Sequence, residues 1–324
     1  MSCPIAQYTA WSRDHIVRKQ STSGGVFTEL ARTIFSRGGI VLSAGFMQSP
    51  FRLVHKIARN ETELSDMRGA KYAPSDMSIA WHEVKNAVEE RKPCLFVGTP
   101  CQTAAMRRRF GNGGGCLILC ALFCHSIPES YVWKKYIAEL EALNRSKLKT
   151  VKFRSKEHGG SWRKGMFVAE FEDGLNSVVQ PLAGNVYADA FFMRLSTRAS
   201  CLKCPFKNGK SGADIMIGDF WGIEISHPEL DDGEGLNAVL VYTHPGEALL
   251  AESKCELRKV EYSEITARNR HLERCIECDT RSRARFLQLC KTMTIEEALR
   301  KIRSRPLWKR AVSWIYNILK GCMS

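Results

Sequence analysis

Two short apolar segments, Cys94 to Val97 and Cys116 to Phe123, constrain this chain more than any other feature. Runs of that length bounded by turn residues read as buried strands. The first is followed by Gly98-Thr99-Pro100-Cys101-Gln102 and an Arg-rich helix. The second is followed by Cys124-His125-Ser126-Ile127-Pro128 and a helix to about Leu143, with Pro128 in its first turn. Strand, turn, helix, repeated, predicts a parallel pair with a right-handed crossover. In such sheets the carboxyl ends of neighbouring strands share one edge, where ligands bind. Cys101 and Cys124 are thereby predicted to meet at that edge.

The surrounding pattern predicts a mixed α/β fold: a parallel or mixed sheet core with helices, an antiparallel insertion and a basic helical C-terminal tail. Ser23 is the expected N-cap of a helix carrying Val26, Phe27, Leu30, Ala31, Ile34 and Phe35, stopped by Gly38-Gly39. Strands are expected from Ile40 to Phe46 and Leu53 to Ala58, and a short helix capped by Asn60 and Glu63 follows. Residues 77–91 read as helix, and 150–195 as short antiparallel strands with a turn at Glu172-Asp173-Gly174. Ala213 to Ile217 and Asn237 to Tyr242 read as further strands, and the remainder as mostly helical. The expected division is 1–148, 149–305 and a tail over 306–324, with the first two parts closely packed.

Composition excludes several classes. At 324 residues, 44% apolar and 25% charged, the chain is ordinary globular material rather than disordered or fibrous. The longest apolar run, Cys116 to Cys124, is far short of the roughly 20 residues needed to cross a bilayer. No secretory pattern is visible at the N-terminus, so a cytoplasmic protein is expected. The net charge of +14 favours acidic partners without choosing among them.

Thirteen cysteines then need an explanation other than disulfides. Cys201 and Cys204 form a CxxC, a pair able to chelate one metal centre or act as a redox dithiol. Joined by Cys101 and Cys124 they make four thiolates, which suit zinc or an iron-sulfur cluster. Cys94, Cys116 and Cys120 lie within the strands and are expected to pack in the core. Cys275 and Cys278 form a second CxxC, read as a surface coincidence for want of a matching pair.

Other polar turns carry weaker signals. Ser23, Gly24 and Gly25 at a helix start offer amides and close approach to an anion, or a capped helix only. Lys71 and Tyr72 add a cation and an aromatic face. Asp219 and Trp221, between Gly218 and Gly222, place a carboxylate and an indole at a strand end, for a ring system or a packed corner. His125 is either a proton donor beside Cys124 or an ordinary hydrogen-bonded histidine.

Taken in order, STSGGVFTELA, GGIVLSAGF, RGAKYAPS, LFVGTPCQ, LFCHSIPESYVWKKY, SCLKCPFK and ADIMIGDFWGIE resemble the beta subunit family of coenzyme F420 hydrogenases and dehydrogenases. The resemblance covers most of residues 8–245 and, more loosely, 260–303. It implies a flavoprotein with FAD and a 4Fe-4S cluster, exchanging electrons with a small-molecule hydride donor or acceptor. It places the cluster on Cys101, Cys124, Cys201 and Cys204, and the flavin near Ser23, Gly24, Gly25, Lys71 and Tyr72. Departures are Ser126 where the family has Gly, Ala70 where it has Ser, and Ala121 where Asp is expected; they bear on substrate identity. Many relatives begin with a ferredoxin-like segment rich in CxxCxxC, whereas only Cys3 precedes residue 94 here. A separate ferredoxin-type partner is therefore expected, drawn to basic residues such as Arg107, Arg108 and Arg109. Relatives also occur beside surface-polysaccharide genes, which makes a sugar intermediate one candidate substrate.

Two other readings compete. A zinc-stabilised nucleic-acid-binding protein fits the charge and the thiols, but no recognition motif for nucleic acid is present, and none is expected to bind specifically. A degenerate family member would keep the fold without the chemistry. In the tail, Leu307, Trp308, Ala311, Val312, Ile315, Ile318 and Leu319 fall on one stripe, for a membrane surface, a partner or the chain's own domain.

Overall fold

Parallel strands at the centre and antiparallel strands on both flanks form the main sheet of the computed structural model, which describes residues 3–48 and 50–304. The tail expected over 306–324 lies outside the described residues. The strands are β1 (Ala6–Ser12), β2 (Ile40–Met47), β3 (Arg52–Ala58), β4 (Cys94–Gly98), β5 (Leu117–Leu122), β6 (Leu148–Ser155), β7 (Met166–Phe171), β8 (Ser177–Pro181), β9 (Ile215–Asp219), β10 (Asn237–Val241) and β11 (Cys255–Lys259). Eight of them form one sheet in the order β11-β1-β10-β9-β5-β4-β2-β3, and β6-β7-β8 form a separate antiparallel sheet. β2, β4, β5 and β9 run parallel, as the strand–turn–helix pattern predicts for β4 and β5. The main sheet draws strands from both sides of residue 148.

Burial explains this order. Every residue of β4 and of β10 is buried, as strands covered on both faces require. One face packs Leu95, Val97, Ile118 and Ile217 under the helix Val26–Ser36, whose Val26, Leu30, Ala31 and Ile34 share one stripe. The other packs Leu42, Phe96 and Leu119 against Ala80, Val84 and Ala87 of the helix Ser78–Glu89. Cys94 and Cys120 are buried as expected, while Cys116 is half-buried with its thiol 2.9 Å from the Gly113 carbonyl oxygen. The small sheet closes on Val132, Trp133 and Tyr136 of the helix Ser130–Asn144.

The structure differs from the sequence reading at five places, one being the helix Val186–Phe192 inside the stretch 150–195 expected as antiparallel strands. The N-cap of the helix Val26–Ser36 is Gly25, with φ of 86°, because the Ser23 hydroxyl donates instead to the Leu236 carbonyl at 2.7 Å. Pro128 lies before the helix Ser130–Asn144 rather than in its first turn, since it pairs with Thr197 in an isolated bridge. β1 and β11 are strands that no sequence pattern announces. β1 mixes polar and apolar residues because it pairs on both sides, and β11 is a charged, half-exposed edge strand.

Candidate functional site

The turn after β4 is built by local chemistry. Thr99 caps the helix Pro100–Phe110, and the Gln102 side-chain oxygen accepts the Thr99 amide at 2.8 Å. Pro100 occupies the first helical position, where its missing N–H costs nothing, so Cys101 follows in the first turn. Its sulfur is 3.1 Å from the Thr99 hydroxyl and its residue is exposed. After β5, the segment 126–129 is sewn to 196–198. The Glu129 amide donates to the Ser196 carbonyl at 2.7 Å, and the Arg198 amide to the Ile127 carbonyl at 2.8 Å. Arg283 fastens the seam, reaching Glu129 at 2.8 Å and the Thr197 carbonyl at 2.7 Å.

That seam brings the CxxC to the sheet edge. Cys201 lies in the turn Ala199–Lys203; burial raises its thiol pKa, and the nearby Ile127 amide works against that rise. Cys124 interacts electrostatically with the thiols of Cys101, Cys201 and Cys204, and Cys201 with those of Cys101 and Cys204. The four thiols predicted from strand ends and CxxC therefore share one locality. Burial pushes the Cys124 thiol up to about 12; the Lys207 ammonium works against the rise and the other three thiols add to it. Among the described residues, no group of three His, Cys, Asp or Glu side chains is placed to hold a single metal ion.

Around the thiols stand residues that carry no sequence signal. Lys207 donates to the Cys124 carbonyl at 2.8 Å and the His271 carbonyl at 2.5 Å. The His271 ring lies 5.4 Å from the His125 ring. Burial, then nearby cations, depress His125 to about 4; burial, then His125 and Lys207, depress His271 to about 3. Both imidazoles are neutral at pH 7. Cys275, of the second CxxC, is half-buried, and its thiol donates to the Cys204 carbonyl at 3.4 Å, which puts it beside the first CxxC.

A second group forms on the aromatic side. The Ala70 amide donates to the Thr22 hydroxyl at 2.9 Å, which joins the Lys71–Tyr72 turn to the Ser23-Gly24-Gly25 turn. Gly24 is required there by packing, since a Cβ would lie 2.6 Å from the Ala10 carbonyl oxygen. The first amide of the following helix, that of Val26, is taken by the Asn237 side chain at 3.3 Å. Lys71 donates to the carbonyls of Met67 and Arg68, both at 2.8 Å, and burial pulls it down to about 7. Asp66 nearby raises it and Lys56 lowers it.

Tyr72 and Asp219 meet through Arg154, a residue absent from the sequence-based site. A register shift between Lys152 and Ser155 marks a bulge at the end of β6, a device that re-aims side chains. Arg154 pairs with Asp219, donates to the Trp162 carbonyl at 2.6 Å and lies 5.2 Å from the centre of the Trp221 ring. Burial opposes its charge, but Asp219 and Tyr72 outweigh that and raise its pKa. Trp221 stacks on Trp162 at 5.2 Å. Tyr72 stacks on Phe191 at 5.2 Å, and Phe191 meets the His125 ring at 6.4 Å. Tyr72, Phe191 and His125 thus form a continuous sequence of rings from the arginine cluster to the thiols. Two buried nitrogens here, His125 Nδ1 and Trp162 Nε1, lack a hydrogen-bond partner among the described residues. Two surface cavities of about 440 and 430 Å³, one beside Arg32 and Lys254 and one beside Met293 and Arg300, contain none of the predicted site residues.

Comparison with known proteins agrees with the resemblance. Two family models described as "Coenzyme F420 hydrogenase/dehydrogenase, beta subunit" match the chain, the N-terminal one over residues 7–80 and the C-terminal one over residues 92–268. No curated protein matches the chain in sequence. Among solved structures, a chain of the F420-reducing [NiFe] hydrogenase complex from Methanosarcina barkeri is similar, with a TM-score of 0.53 at 20% identity. The match covers 81% of this chain and 84% of that one and shows a shared fold. No helix among the described residues is long and apolar enough to cross a membrane.

Lys71 makes stability pH-dependent. Its pKa falls from 10.5 unfolded to about 7 folded, so between those values the unfolded chain binds more protons and stability rises with pH. Below pH 7 both states are protonated and the burial penalty is complete. Denaturant unfolding of wild type and Lys71→Met between pH 6.5 and 9 should therefore show wild type gaining on the variant as pH rises. Parallel curves would contradict this.

Proposed function

The chain belongs to the coenzyme F420 hydrogenase/dehydrogenase beta subunit family, and on that premise we propose that it is an iron-sulfur flavoprotein oxidoreductase. The observation that carries the reading is the mutual approach of Cys101, Cys124, Cys201 and Cys204 from three separate loops. Four thiols suit either zinc or a cluster, but a cube of iron and sulfide holds its thiolates further apart than one tetrahedral ion does. The family match favours the cluster over zinc. Cys101 is the exposed corner and the other three are half-buried.

The aromatic group fits FAD by its chemistry: a buried cation, stacked indoles, a half-buried tyrosine and two unsatisfied nitrogens. When bound, a flavin exchanges electron pairs with a hydride substrate and single electrons with a cluster. Arg154 supplies fixed positive charge to the ligand side, held by Asp219 so that it stays oriented. The Tyr72, Phe191 and His125 rings pack out water between the two groups. His125, neutral and half-buried, is able to hold a proton at one ring nitrogen without adding charge beside Cys124.

The partner is an acidic one-electron carrier of the ferredoxin type, meeting the protein near Cys101. The segments bearing the ligands carry cations and no acid: Arg91, Lys92, Arg107, Arg108 and Arg109 within residues 91–128, and Arg194, Arg198, Lys203, Lys207 and Lys210 within residues 190–213. Arg107 is itself committed, pairing with buried Asp214 at 2.7 Å, which leaves Arg108 and Arg109 exposed. A steered encounter of this kind weakens with salt.

Two experiments test this reading. Anaerobically purified protein should contain iron, sulfide and flavin, and Cys→Ala at 101, 124, 201 or 204 should each remove most of the iron. Iron content unchanged by all four substitutions would refute the ligand set. Charge reversal at Arg108 and Arg109 should slow reduction by an acidic ferredoxin several-fold at low salt and little at high salt. A rate equal to wild type at low salt would remove the docking proposal.

A further inference from the structure

We propose that Lys207 is a positioning residue for the cluster, whose ammonium fixes a positive charge beside Cys124 and thereby raises the cluster's reduction potential. This rests on the cluster reading above. Lys207 is half-buried and follows the CxxC by three residues. Its ammonium bonds the carbonyl of Cys124 at 2.8 Å and that of His271 at 2.5 Å. Among the described residues it has no carboxylate partner in any ion pair, and both its hydrogen bonds go to backbone carbonyls. A half-buried cation without a counterion is favoured by an anion placed beside it. A thiolate-ligated iron-sulfur cluster is net negative in both oxidation states and more so when reduced. Its potential depends on nearby charge and on the polarity of its surroundings. A fixed cation therefore favours the reduced form.

The surroundings keep that charge in place. The Asn208 amide donates to the Leu272 carbonyl at 2.9 Å, and the Cys275 thiol to the Cys204 carbonyl. These bonds press the loop 270–275 over the CxxC and hold Lys207 between the two. The neighbouring rings of His125 and His271, 5.4 Å apart, pack beside the same carbonyls.

Wild type, Lys207→Gln, Lys207→Met and Lys207→Arg, each purified anaerobically, should be titrated with redox mediators and followed by electron paramagnetic resonance. Gln keeps a donor for the two carbonyls and loses the charge; Arg keeps the charge. The expected result is a lower midpoint in Gln and Met, by a tenfold or greater change in the reduction equilibrium, which is about 59 mV for one electron. Arg should hold the wild-type value. A Gln variant with full iron and an unchanged midpoint would overturn the proposal. Should Gln and Met fail to retain iron while Arg retains it, the charge is needed even to hold the cluster, which supports the proposal. Equal loss in all three variants would contradict it. Wild-type protein without iron would instead refute the cluster reading on its own account.

Discussion

Everything in this structure depends on delivering sulfurs from distant parts of the chain to one edge of a sheet. Parallel β4 and β5 put Cys101 and Cys124 at neighbouring carboxyl ends. That alone would leave two thiols. The seam between 126–129 and 196–198 completes the set, because backbone bonds there fix the CxxC loop against the turn after β5. Ordering so much loop costs conformational entropy of about 1–2 kcal/mol per residue. Arg283, Thr103 and Arg107 offset part of it by tying the same loops to rigid helices, Thr103 at 3.0 Å from the Ser211 carbonyl and Arg107 at 2.8 Å from that of Gly212.

A second junction organises the aromatic side. Arg154 and Asp219 are nearly buried, with side-chain exposures of 9% and 14%. Such a pair is weak evidence of stability, since desolvation rivals the attraction. Its value here is positional: it binds the end of the small sheet to the end of β9, and Tyr72 joins through the same guanidinium. From Tyr72 the ring sequence through Phe191 reaches His125, one residue from Cys124. The two groups are thus parts of one packed neighbourhood rather than separate sites.

The sheet centre was legible in the sequence because buried strands are written as uninterrupted apolar runs with turn residues at their ends. The strand ends then carried the thiols with them. β1 and β11 escape such a reading because flanking and edge strands need not be apolar, and pairing rather than pattern makes them strands. Ser23 and Gly24 look ligand-facing in sequence, yet their visible roles are a hydrogen bond to Leu236 and close packing on Ala10. Arg154, Lys207 and His271 carry no local signal, and Cys275 carries only its CxxC spacing. Each owes its place to contacts across tens of residues or more, such as the 83-residue span from Cys124 to Lys207. Only the missing carboxylate in residues 190–213 hints that a cation there has other work.

The most direct test of the central claim is the Mössbauer spectrum of protein grown on iron-57 and kept anaerobic. The account predicts irons in tetrahedral sulfur coordination, coupled as in a single cubane, with that signal lost when Cys124 is replaced. Uncoupled iron in oxygen or nitrogen coordination, or zinc in place of iron, would contradict it.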